Sequence, residues 1–76
     1  MRQCTNLQCI KPALFTIGRR RLNAKPGDTF WVTSTEASAN ASGMVEIARQ
    51  GKNMSHAYPF SREQIAEYFI ITREGI

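Results

Sequence analysis

Residues 23–33 read Asn23-Ala24-Lys25-Pro26-Gly27-Asp28-Thr29-Phe30-Trp31-Val32-Thr33, and this stretch decides the fold class. Pro26 presets φ at the first central position of a turn, and Gly27 accepts the positive φ that a type II turn needs at the second. Directly after the turn, every residue from Thr29 to Thr33 is β-branched or aromatic, the composition that a strand favours. Phe30 and Val32 fall on one face of that run and Trp31 on the other. A strand that is apolar on both faces is expected inside a sheet rather than at its rim.

Toward the N-terminus, Ala13-Leu14-Phe15-Thr16-Ile17-Gly18 is a second β-prone run, with Phe15 and Ile17 on one face and Arg19-Arg20-Arg21 following. Residues 1–12 carry no comparable pattern and are expected to be a loosely ordered N-terminal segment. Toward the C-terminus, residues 33–43 contain no large apolar side chain, so no core burial holds them and a mobile loop is expected there. Met44-Val45-Glu46-Ile47-Ala48-Arg49 alternates with Val45 and Ile47 inward, and Gln50-Gly51-Lys52-Asn53 supplies a turn. Tyr58-Pro59-Phe60-Ser61-Arg62-Glu63-Gln64-Ile65 carries a helix start. Ser61 is the N-cap, Gln64 completes a capping box, and Phe60 and Ile65 form a hydrophobic staple. The helix runs over 62–69, and at two turns it must dock on the sheet to persist. Phe69-Ile70-Ile71-Thr72 re-enters the sheet as a last strand, and residues 73–76 are expected to fray.

Three or four short strands, one tight turn and one short helix predict a mainly β, single small domain, closed or partly open as a barrel. The length agrees: 76 residues and 8.6 kDa make one domain with a thin core. The stretch Lys25-Pro26-Gly27-Asp28-Thr29-Phe30-Trp31-Val32 resembles the second strand of SH3-like barrels, where such a turn launches a hydrophobic strand. The helix from Phe60 to Phe69 resembles the short helical turn that those barrels place before their last strand. Small accessory proteins of phages and prophages look similar, with a short basic N-terminus and one compact β domain. The resemblance covers residues 13–72, implies an SH3-like fold, and transfers no functional residue.

Charge is the most informative arithmetic for function. Residues 1–27 hold Arg2, Lys11, Arg19, Arg20, Arg21 and Lys25 and no acid, whereas residues 28–76 hold four bases against six acids. Such asymmetry points to an anionic partner for the basic part. No segment approaches the roughly 18 apolar residues of a membrane span, and the N-terminus lacks the apolar stretch of a signal peptide. A cytoplasmic protein without a membrane partner is therefore expected, in which the sequon Asn40-Ala41-Ser42 carries no meaning. Cys4 and Cys9 are five apart, on opposite faces of a strand and about 140° apart on a helix. With His56 as the single histidine, neither a zinc site nor a disulfide is expected, and no cofactor is implied.

Catalysis is argued against by the same inventory. One His and one Asp would have to converge for a triad, and the five glycines are scattered rather than clustered in a phosphate loop. Glu63 and Glu67 share a helix face, where solvation and dipole matching are the ordinary role. The chain is thus expected to be a non-enzymatic binding module. Arg19, Arg20, Arg21, Lys25 and Lys11 are the candidate binding residues, with Trp31 as the candidate aromatic. An acidic host protein gripped by the basic surface is the first partner class. Nucleic acid is the alternative, its phosphates on the arginines and a base stacked on Trp31. An aromatic groove of Tyr58, Pro59 and Trp31, and a homodimer through an exposed strand edge, are further ways for so small a domain to bind.

Overall fold

A computed structural model describes residues 1–75. The chain runs β1 (Asn6–Cys9), β2 (Ala13–Ile17), β3 (Arg20–Ala24), β4 (Thr29–Val32), α1 (Glu36–Ser42), β5 (Val45–Arg49), a 3₁₀ turn (Met54–His56), β6 (Tyr58–Phe60), α2 (Arg62–Tyr68) and β7 (Phe69–Arg73). It is mainly β, in one antiparallel sheet of order β6-β5-β4-β1-β7 and one hairpin, β2-β3. The strand launched by Pro26-Gly27 is β4, the middle of the five and the second in chain order within that sheet. The turn forms as its residues dictate: the Asp28 N–H donates to the Lys25 carbonyl at 3.0 Å, and Gly27 takes φ 95°.

A flat five-stranded sheet would hold its outer strands about 19 Å apart, four steps of about 4.8 Å. Here the rings of Phe60 on β6 and Phe69 on β7 lie 6.1 Å apart, so the sheet curls until its two rims meet through side chains. Alternation decides what the curl encloses. Leu7, Cys9, Phe30, Val32, Val45, Ile47, Phe60 and Phe69 all point inward and are buried. The β2-β3 hairpin covers the remaining opening. Leu22 and Ala24 complete the core, and Phe15 meets Phe60 edge-on at 4.7 Å and Tyr68 at 5.1 Å. α2 starts at Ser61 through a complete capping box and docks Ile65 on the same core before handing the chain directly to β7.

Three expectations are corrected. Residues 1–12 are not loose, because β1 lies between β4 and β7 and buries Leu7 and Cys9. Its four residues are too short and too polar on the outer face to show an alternation by themselves. Residues 33–43 are not a loop, since Glu36–Ser42 form α1. Ala37, Ala39 and Ala41 are the best helix formers. Thr35 caps the start by accepting from the Ser38 N–H, and Gly43 ends the helix in the left-handed region at φ 76°. One small side chain, Ala39, is enough to seat it on the core. The 73–76 tail is tied rather than frayed through residue 75. Arg73 ends β7, and the Gly75 N–H donates to the buried Thr5 hydroxyl at 2.9 Å. The last position of that tail, 76, lies outside the described residues.

Candidate binding face

The arginine run straddles a two-residue turn rather than lying along one strand. Gly18 and Arg19 form the tip of the β2-β3 hairpin, and Arg20 and Arg21 begin β3. Register then sorts the side chains. Ile17 pairs with Arg20, Phe15 with Leu22 and Ala13 with Ala24, all turned toward the core. Thr16 pairs with Arg21 and Leu14 with Asn23, all exposed and turned away from it. Arg20 therefore differs from its neighbours, as strand alternation requires. Its guanidinium donates to the carbonyls of Ala57 (2.9 Å) and His56 (3.1 Å) and lies 4.0 Å from the centre of the Tyr58 ring. It ties the hairpin tip to the 3₁₀ turn and β6, and so serves the fold. Were the whole run a strand, Arg19 and Arg21 would share a face, but Arg19 sits in the turn and only Arg20 and Arg21 lie in β3.

The outward face of the hairpin thus carries Arg19, Arg21 and Lys25, with Leu14 among them. From Arg21 to Lys25 the face runs about 13 Å, four residues of extended chain. None of these three cations forms an ion pair among the described residues. Five of the seven other Lys and Arg side chains are engaged, Lys52 and Arg73 being exposed elsewhere on the surface. Arg49 pairs with Asp28 at 3.1 Å and donates to the Asn23 carbonyl at 2.6 Å. Arg2 and the N-terminal amine each lie 3.9 Å from Glu36, and Arg62 donates to Asn40 at 2.7 Å. Lys11 is likewise committed, 3.7 Å from Glu67 and 5.7 Å from the centre of the Tyr68 ring. It stands at the base of the hairpin as a neutralised charge. The Lys25 N–H, and then the Arg49 guanidinium, hold the Asp28 carboxyl below its usual range. That acid anchors the turn without opposing the face.

Trp31 does not join this surface. Its strand neighbours Phe30 and Val32 point into the core, so Trp31 lies on the outer face of the five-stranded sheet, away from the hairpin. The indole is half-buried beside its cross-strand partner Ala48, itself fully buried, and its Nε1–H donates to the Lys52 carbonyl at 2.9 Å. The aromatic groove is not assembled either. Tyr58 and Pro59 are consecutive in β6 and point to opposite faces, and Arg20 covers the Tyr58 ring. Sequence reasoning missed Leu14 as a site residue, although its place opposite Phe15 and Ile17 in the alternation was visible. Among the described residues no three His, Cys, Asp or Glu side chains are grouped to hold a metal ion. No helix among them is long and apolar enough to cross a membrane. No protein-family model, curated protein or solved structure matches the chain.

Proposed function

We propose that this protein is a non-enzymatic binding module that grips an acidic protein through the outward face of the β2-β3 hairpin. One observation carries the reading: Leu14, 63% exposed, sits in an acid-free face with Arg21, Lys25 and Arg19. Exposed cations alone suit any polyanion, but an exposed leucine among them matches a protein surface that offers carboxylates around an apolar side chain. A single strand held by base stacking would call for an aromatic side chain in that face, and Trp31 lies on the other face of the sheet. The resemblance to phage and prophage accessory proteins makes a host protein the natural partner.

The experiment is a pull-down with the immobilised protein at physiological salt, run with and without nuclease. A specific acidic protein retained in both, and released by Leu14→Asp as well as by Arg21→Glu, supports the proposal. Retention that vanishes with nuclease makes the protein a nucleic-acid binder instead, with affinity falling steeply between about 50 and 200 mM salt.

A further inference from the structure

We propose that β7 is a dimerisation edge, at which two copies of the chain pair antiparallel about Ile71 to make one continuous ten-stranded sheet. The two rims of the sheet are unlike each other. β6 has three residues and carries Pro59, which cannot donate a strand hydrogen bond. β7 has five residues, no proline and four exposed positions, Ile70 to Arg73. It pairs on one side only, with β1. β6 is blunted along its whole length, whereas on β7 the blunting features are confined to the C-terminal end, where Arg73 stands and the β1-β7 register shifts, leaving Ile70 and Ile71 unprotected.

Hydrogen-bond parity shows which backbone groups are free. The Ile10 N–H donates to the Tyr68 carbonyl at 2.8 Å, and the β1-β7 register continues as Cys9↔Phe69, Gln8↔Ile70 and Leu7↔Ile71. Bonded pairs alternate along an antiparallel ladder, so Gln8 and Ile70 exchange bonds whereas Ile71 points its N–H and C=O outward. The opposite side of β1 agrees: the Cys9 N–H donates to the Asp28 carbonyl and the Cys9 carbonyl accepts from the Gly27 N–H, away from β7. The Phe69 N–H is already used by the Ile65 carbonyl. Ile71 is therefore the one position at which a twofold-related strand can exchange both bonds with its own copy.

Side chains and charges fit that register. Ile70 and Ile71 are each 47% exposed, an apolar pair on the free edge. Both line an open groove of about 290 Å³ together with Leu7, Ile65, Ala66 and Phe69, with Met1 and Arg62 completing it. Pairing about Ile71 sets Ile70 opposite Thr72 of the second copy and brings the Arg73 end of each β7 to the Phe69 end of the other, the β1-β7 register itself shifting between Leu7↔Ile71 and Asn6↔Arg73. Each copy thus brings Arg73 toward the end of the other's α2, where Glu67 lies, a match of opposite charges repeated by the twofold. The hairpin face is left free in both copies, so the proposal stands independently of what that face binds.

Sedimentation velocity over a concentration series tests it, with Ile71→Lys as the variant and Arg21→Glu as the control. The expected result is a reversible monomer–dimer equilibrium, unchanged by Arg21→Glu and weakened at least about tenfold by Ile71→Lys. Amide exchange on the unsubstituted protein serves if Ile71→Lys does not fold: the Ile71 amide should become more protected as concentration rises. A protein that stays monomeric throughout the series overturns the proposal. So does a dimer that survives folded Ile71→Lys, or an Ile71 amide whose exchange is independent of concentration.

Discussion

Three consecutive arginines have three different fates, and the difference follows from a single residue of register. Arg20 faces inward at the mouth of the hairpin, where two carbonyls and the Tyr58 ring take its charge. Arg21 faces outward and holds nothing, and Arg19 stands at the tip. Stability and binding should therefore separate within the run. Arg20→Ala is expected to cost about 1–2 kcal/mol, from two hydrogen bonds of a charged donor and a cation–π contact. Arg21→Ala should change stability by no more than a few tenths, as exposed charges do. Urea unfolding of the two variants checks this, and equal losses would mean that Arg20 is as free as its neighbour. Parity in a strand was legible in the sequence, but the place of the turn was not. Gly18-Arg19 could be recognised as a hairpin tip only once Leu22 and Ala24 were seen to share the core with Phe15.

At the level of elements, the outcome depended on how much local chemistry each segment carries. α2 announced itself because Ser61, Gln64, Phe60 and Ile65 each specify a helix start, and the structure realises the reciprocal bonds at 3.1 Å and 3.0 Å. Ser61→Ala should destabilise by about 0.5–2 kcal/mol, the usual loss for an N-cap. Ser38→Ala, whose hydroxyl takes no part in a cap, should leave the melting temperature nearly unchanged. Equal and negligible changes in both would show that the cap does not hold α2. β4 and β5 were legible for a similar reason, since buried alternating residues such as Phe30, Val32, Val45 and Ile47 dominate their composition. β1, β3 and β6 were not, because polar side chains such as Asn6, Gln8, Arg20, Arg21 and Asn23 dilute the first two and Pro59 interrupts the three residues of the last. Their state is fixed by the strands beside them. α1 lies between these cases. Thr35, the alternating alanines and Gly43 form a complete start and stop, yet the absence of large apolar side chains pointed to a loop, because a helix resting on one alanine is invisible to a search for buried bulk.

Across the whole molecule, a net charge of +4 is distributed so that its effect is local. Three of the six acids meet bases as pairs, Asp28 with Arg49, Glu67 with Lys11 and Glu36 with Arg2, and the hairpin face gathers three cations with no acid among them. The curl of the sheet sends Trp31 to the far side, which divides the sequence's single candidate site into two unrelated surfaces. Lys52 and Arg73 are exposed cations outside the hairpin and supply a matched control. Reversing Arg19 and Arg21 to Glu, or Lys52 and Arg73 to Glu, lowers the net charge by four in each case, from +4 to zero. The two variants therefore differ in the face that is altered and not in overall charge. The measurement is binding of both, by titration calorimetry, to an acidic peptide that contains one central leucine. Loss of binding in Arg19→Glu/Arg21→Glu, with near-normal affinity in Lys52→Glu/Arg73→Glu, is the predicted result. Equal losses in the two variants, or loss confined to Lys52→Glu/Arg73→Glu, would contradict the assignment of the hairpin as the binding face.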